Sequence, residues 1–234
     1  VNTQKLIVKE EEDNENDDHR DERTIRHVSH GRGTKHSFNF DFGLNNYISN
    51  GKFPDQDNSL YTVQPWGSWN LALNSIQRTR LGQKAFLEWG GGVSMYNFKF
   101  QNDRTNVIKG SSELIFSEDI RDFDFRRSKL TAVYLNVSMI PMLNFAGNKK
   151  SFRIGIGPYA GYRIGGYSKI VYKDNGDRRV ERNRDNFYLN NFRYGVRMQV
   201  GFHDTDLFFA YDLNNLFAKG KGPELNALSF GITF

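Results

Sequence analysis

The sequence predicts an all-β protein: an eight-stranded antiparallel up-and-down transmembrane β-barrel with a disordered acidic N-terminal arm. Three observations predict it. Eight runs place an apolar residue at every second position, the connections between them alternate long and short, and no apolar stretch of helix length occurs anywhere in the 234 residues. Period-two alternation is the signature of strands with one face in an apolar medium. A membrane barrel spreads its apolar residues by that alternation, so a mean hydropathy of -0.66 does not argue against a membrane.

The elements follow in order. Residues 1–34 show little apolar periodicity and form the expected arm, and residues 35–234 the expected barrel. The first run sets Phe38, Phe40, Phe42 and Leu44 against Asn39, Asp41, Gly43 and Asn45. The second carries Trp69, Leu71 and Leu73 on its apolar face, the third Leu87, Trp89, Val93 and Met95, and the fourth Val133, Leu135, Val137 and Met139. In the fifth, Phe152, Ile154, Ile156, Ala160, Tyr162 and Ile164 oppose Arg153, Gly155, Gly157, Tyr159, Gly161 and Arg163. The sixth sets Phe192, Tyr194, Val196 and Met198 against Arg193, Gly195 and Arg197; the seventh has Leu207, Phe209, Tyr211 and Leu213, and the last Leu228, Phe230, Ile232 and Phe234.

Connections fall at about 49–65, 77–83, 101–127, 144–150, 166–189, 203–206 and 217–224. Bacterial outer-membrane barrels have long extracellular loops and short periplasmic turns, so this rhythm predicts an N-terminus in the periplasm. Ala146-Gly147-Asn148 and the stretch from His203 to Asp206 suit tight reversals. The polar face is rich in Gly, Asn, Ser and Ala and has no mid-strand Lys, which fits a crowded barrel interior better than the wetted exterior of a soluble lipocalin-like barrel. Trp66, Trp69, Trp89, Tyr162, Phe192, Phe209 and Tyr211 are candidates for interfacial girdles.

Composition excludes several functions. With no cysteine there is no disulfide framework, thiolate metal site or cysteine nucleophile. The longest uncharged window begins at Thr131 but contains Pro141 and several Asn and Ser residues, so it fails as a spanning helix. The chain opens on Val1 with no signal-peptide pattern, as expected of a processed protein. The formal charge of +5 divides into -8 over Glu10–Glu22 and +13 over the remainder. Because the basic residues are expected mostly in loops, nucleic acid is not an expected partner despite a pI near 9.3.

Two stretches carry a family resemblance. Tyr134-Leu135-Asn136-Val137-Ser138-Met139-Ile140-Pro141-Met142-Leu143 resembles the YLxIPLLL strand, and Gly157-Pro158-Tyr159-Ala160-Gly161-Tyr162 the GPYxGY strand, of the PorT-like outer-membrane β-barrel family of Bacteroidetes. The resemblance covers about residues 36–234; Ser138 stands in place of the family's usual Pro, and the acidic arm has no counterpart. It implies residence in the outer membrane of a Gram-negative bacterium. Most members are of unknown function and a few belong to secretion or assembly complexes. The expectation is therefore a non-enzymatic scaffold or accessory subunit of a larger envelope complex, with a small passive channel or a soluble ligand-binding barrel as alternatives. The terminal Phe234 resembles the signal read by the barrel-assembly machinery.

Candidate sites are few. Glu88, Arg153, Arg163, Arg193, Arg197 and Asp212, with Asp41, are expected to point into one lumen as a charge network, since an unpaired buried charge is costly. Eight strands enclose too little space for an aqueous pore or for a hydrolytic carboxylate pair with substrate access. His19, His27, His30 and His36 lack metal-site spacing, the glycine-rich stretches lie inside strands, and no GxSxG elbow occurs, so neither metal, cofactor nor catalytic residue is expected. Arg178, Arg179, Arg182 and Arg184 are read as an outward loop able to contact lipopolysaccharide phosphates. In the arm, Leu6, Ile7 and Val8 offer a strand for addition to a partner's sheet, and Glu10, Glu11, Glu12 and Asp13 an acidic docking segment. The expected partners are outer-membrane lipids, lipopolysaccharide and other envelope proteins.

Overall fold

β-branched and aromatic residues at alternate positions make extended chain the conformation that buries one face. The computed structural model describes residues 33–55, 59–145, 152–202 and 205–234. The arm residues Leu6, Ile7, Val8, Glu10, Glu11, Glu12 and Asp13, the turn Ala146-Gly147-Asn148, and His19, His27, His30 and His203 lie outside them. The described residues form eleven strands: β1 (Thr34–Ile48), β2 (Trp69–Arg80), β3 (Ala85–Lys99), β4 (Thr105–Lys109), β5 (Leu114–Glu118), β6 (Asp124–Asn144), β7 (Phe152–Asp174), β8 (Asp177–Asn183), β9 (Phe192–Phe202), β10 (Thr205–Asp212) and β11 (Asn226–Thr233).

Eight of them close a ring in the order β1, β2, β3, β6, β7, β9, β10, β11 and back to β1, each pair antiparallel. The fold is the predicted eight-stranded up-and-down barrel. Register sorts the side chains. Phe42 stands opposite Leu71 and Ile232 on the outer face, and Asp41 opposite Ala72 and Thr233 on the inner one. The outer wall exposes Phe38, Phe40, Phe42, Leu73, Val93, Leu135, Val137, Met139, Ile156, Ile164, Tyr194, Met198, Leu207 and Phe230, with Phe38 at 70%. Contiguous apolar surface on this scale is incompatible with water as the surrounding medium. Apolar outside and polar inside is the arrangement of a membrane-spanning β-barrel and the inverse of a soluble ligand-binding one.

Two connections differ from expectation. The 101–127 stretch contains the β4–β5 hairpin and the start of β6, and the 166–189 stretch contains the end of β7 and all of β8. The strands continue where the apolar alternation stops, because their upper halves pair outside the lipid, where polar residues satisfy both faces. Nine to eleven tilted residues cross a bilayer. With 21 and 23 residues, β6 and β7 run about twice that length, and their lipid-facing parts are confined to about 133–143 and 152–164. The extension also places Lys129 and Lys169 within β6 and β7, on their outward faces.

The interior has two zones. The one toward the short turns is polar. The one under the long connections is an apolar core of Tyr47, Tyr96, Phe98, Phe100, Leu130, Tyr134, Phe187 and Phe217, which the sequence reading of a polar interior did not anticipate. Phe98 and Phe100 continue the inward alternation of β3 beyond the lipid, where the loops cover them. Crowding explains inward glycines in β9: a Cβ on Gly195 would lie 2.8 Å from the Tyr159 hydroxyl and 2.0 Å from the Tyr211 carbonyl oxygen.

Candidate functional site

Four ion pairs fill the polar zone. The carboxylate of Asp41, 1% exposed on β1, accepts from Arg197 Nη1 at 2.8 Å and Nη2 at 3.1 Å, from Thr233 Oγ1 at 2.6 Å and from Asn74 Nδ2 at 3.0 Å. Arg193 Nη2 stands 3.3 Å from Asp212 Oδ1 and donates to the Tyr96 hydroxyl at 2.7 Å, while the Tyr159 hydroxyl donates to the same carboxylate. The Arg193 guanidinium lies over the rings of Tyr96, Tyr159 and Tyr134 at 4.2, 4.9 and 5.0 Å. Arg153 pairs with Asp206 at 2.5 Å, and Arg78 Nε donates to Glu88 Oε1 at 2.8 Å. Buried charges persist only when paired and hydrogen-bonded, and each of these carboxylates is.

Of the residues named from sequence, Glu88, Arg153, Arg193, Arg197, Asp212 and Asp41 come together here. Arg163 stands apart: it donates to Asn191 Oδ1 at 2.7 Å, near the mouth, and among the described residues it has no carboxylate within ion-pair distance. Two partners escaped the sequence reading. The sequence pattern puts Arg78 in a connection, although it continues the inward series Asn70, Ala72, Asn74, Ile76. It puts Asp206 in a turn, although its parity with Phe208, Ala210 and Asp212 points it inside. Between the pairs remains a cavity of about 60 Å³ bordered by Ser94, Asn136, Gln199 and Arg197, room for a few waters. Among the described residues the apolar core above it blocks the lumen.

The arginine segment is corrected in kind. Arg178, Arg179 and Arg182 lie on β8, an edge strand paired with β7, not in a loop; only Arg184 follows the strand. Their side chains divide between two faces, Arg178 and Arg182 opposite Lys173 and Lys169, and Arg179 opposite Tyr172 and 3.8 Å from Asp177. Sequence reading missed the strand because every residue of β8 is exposed, leaving no apolar alternation. Its charges also protect a free edge from pairing.

A polar clamp fastens β8 to the layer above the barrel. Arg121 donates to Asp119 at 2.9 and 3.0 Å and to Glu181 at 2.8 and 3.1 Å, and the Tyr172 hydroxyl donates to Glu181 at 2.7 Å. Hydrogen bonds from Arg121 hold both carboxyls below their usual range. The rings of Phe123 and Tyr172 stack at 4.6 Å beneath that guanidinium. Tyr188 donates to Gly110 O at 2.8 Å and Lys109 pairs with Asp185 at 2.9 Å, anchoring the β4–β5 hairpin.

Among the described residues no group of three or more His, Cys, Asp or Glu is placed to hold a metal ion. His36 faces outward, its Nε2 at 2.9 Å from Ser75 Oγ. Phe234 closes the ring, exchanging backbone hydrogen bonds of 2.9 and 3.0 Å with Phe40 while its side chain remains 62% exposed.

Fold and site together define a membrane β-barrel whose lumen, among the described residues, is filled by its own side chains. No family model and no curated protein matches the sequence. Among solved structures, the chain is similar to Ail, the attachment invasion locus protein of Yersinia pestis, in a crystal structure with the heparin analogue sucrose octasulfate. The identity is 13%, the match covers 87% of this chain and 100% of that one, and the TM-score is 0.30. The ligand is that protein's.

Proposed function

We propose that this is a non-enzymatic barrel of the outer membrane of a Gram-negative bacterium, PorT-like in kind, serving as a scaffold or accessory subunit of a larger envelope complex. One observation carries the reading: the lumen is filled by four ion pairs and an apolar core. A closed lumen leaves the outer wall, the layer of hairpins beyond it and the N-terminal segment as the working surfaces. The acidic segment from Glu10 to Glu22 faces the periplasm in this reading and docks on basic partners there.

Pull-down of the full chain in mild detergent, followed by mass spectrometry, tests the proposal. Stoichiometric envelope proteins that survive a salt wash are expected. Recovery of the chain alone from its native membrane, by both pull-down and native gel, would overturn the scaffold reading.

A further inference from the structure

Above the lipid-facing wall, β3, β6, β7 and β8 carry one basic residue each at the same register position. Lys99 stands opposite Lys129, Lys129 opposite Lys169, and Lys169 opposite Arg182. Cross-strand neighbours on one face lie about 5 Å apart, and like charges so placed repel. Arg127 and Arg178 add to the same cluster. Among the described residues only Asp103 answers it, 3.9 Å from Lys99 Nζ, and Lys129, Lys169 and Arg182 form no ion pair.

The row is also tied to the lipid boundary. Lys129 Nζ lies 5.6 Å from the ring of Trp69 and 5.9 Å from that of Tyr167, and Arg182 lies 4.8 Å from Tyr167. Trp and Tyr occupy the membrane–water interface of barrels. On the same outward faces the next row down is Asn97, Thr131 and Tyr167, and below it begins the apolar wall with Met95 and Val93 of β3 and Val133 and Leu135 of β6. Lys129 is only 8% exposed; burial, aided by Lys169, Arg127 and Arg182, brings its ammonium down to about 8. An anion seated between these side chains would relieve both the repulsion and the lost hydration.

We infer that the Lys99–Lys129–Lys169–Arg182 row is a binding site for the phosphate groups of an anionic lipid in the outer leaflet, whose acyl chains lie on the apolar wall beneath. Lipid is favoured over a soluble polyanion because the row lies against Trp69 and Tyr167 and stands only two register positions above the apolar wall. The inference rests on the outer-membrane reading above and adds a partner at a named place.

Native mass spectrometry of the full chain tests it, with phosphatidic acid and diacylglycerol of identical chains as probes and inorganic phosphate as the free anion. Phosphatidic acid is expected to be retained at least tenfold more tightly than diacylglycerol. The K169Q/R182Q variant, changed at its accessible members, and the K129Q variant are each expected to reduce that preference at least fivefold, whereas K84Q, in the exposed turn between β2 and β3, keeps it. Equal retention of both lipids, an undiminished preference in K169Q/R182Q, or full displacement by millimolar inorganic phosphate would overturn the inference. Flotation with neutral phosphatidylcholine vesicles is read separately, since a chain that inserts nowhere refutes the membrane reading and not the row alone.

Discussion

Asp41 and Arg197 are joined by two hydrogen bonds across the inside of the barrel although two strands, β10 and β11, separate β1 from β9 along the wall. The pair links residues 156 apart in sequence. It thereby ties the first ring strand to the last third of the chain, on the side where the ring closes.

Removing one partner strands the other. Arg197→Met and Asp41→Asn are each expected to destabilise the barrel by about 3–5 kcal/mol, the usual cost of an uncompensated buried charge. The midpoint of urea unfolding in detergent, read by heat-modifiable gel migration, checks this. The double variant should lose much less than the sum of the two singles.

The outer wall provides a test of its medium. Leu135→Arg and Val137→Arg place a charge on the lipid face and should cost about 2–4 kcal/mol in bilayers, while Arg178→Ala should change stability by less than about 0.5 kcal/mol. Near-neutral effects of both arginine substitutions in phospholipid vesicles would place water, not lipid, against this wall.

Gly195 faces the Tyr159 ring at a distance that leaves no space for a side chain. Gly195→Val is expected to prevent the folded gel form, and Gly195→Ala to lower the unfolding midpoint. Tyr159→Phe should not rescue Gly195→Ala, because the Tyr211 carbonyl obstructs the same position. Rescue would show that the hydroxyl alone sets the constraint.

The clamp of Arg121 with Asp119 and Glu181 depends on pH. Both carboxyls titrate below their usual values when folded, so their contribution is fully present above the ordinary carboxylate range and is lost as pH falls through the lowered values. Protection of the β7–β8 hairpin, measured as hydrogen exchange relative to the intrinsic rate at each pH, should fall on acidification through the lowered carboxyl values, and in Arg121→Gln it should be low already at neutral pH. The β1–β2 pairing should remain protected in both cases.

A closed lumen predicts electrical silence. In planar bilayers the chain should show no conductance steps above leak, including at 1 M salt. Reproducible steps that change with Arg197→Met would favour the passive-channel alternative.

Much of this was legible in the residues. Alternation at period two located all eight ring strands and separated Phe40 from Asp41, or Val137 from Ser138, because a strand in a two-sided environment must send successive side chains into different media. The same parity points Arg193, Arg197 and Asp212 inward. Where both sides of a strand meet water or protein the signal vanishes, and there the reading failed: the upper halves of β6 and β7, the β4–β5 hairpin and all of β8 looked like loop.

Alternation is local, so the sequence by itself determined which face the residues of the eight alternating runs occupy, the number of ring strands and the closed-barrel class. Which inward charge meets which, that Arg78 and Asp206 complete the set while Arg163 does not, and that Lys99, Lys129, Lys169 and Arg182 share one row were decided only by the tertiary structure. Those relationships depend on inter-strand register and closure, and register joins residues as far apart as Asp41 and Thr233, 192 positions, through backbone pairing that no local pattern encodes.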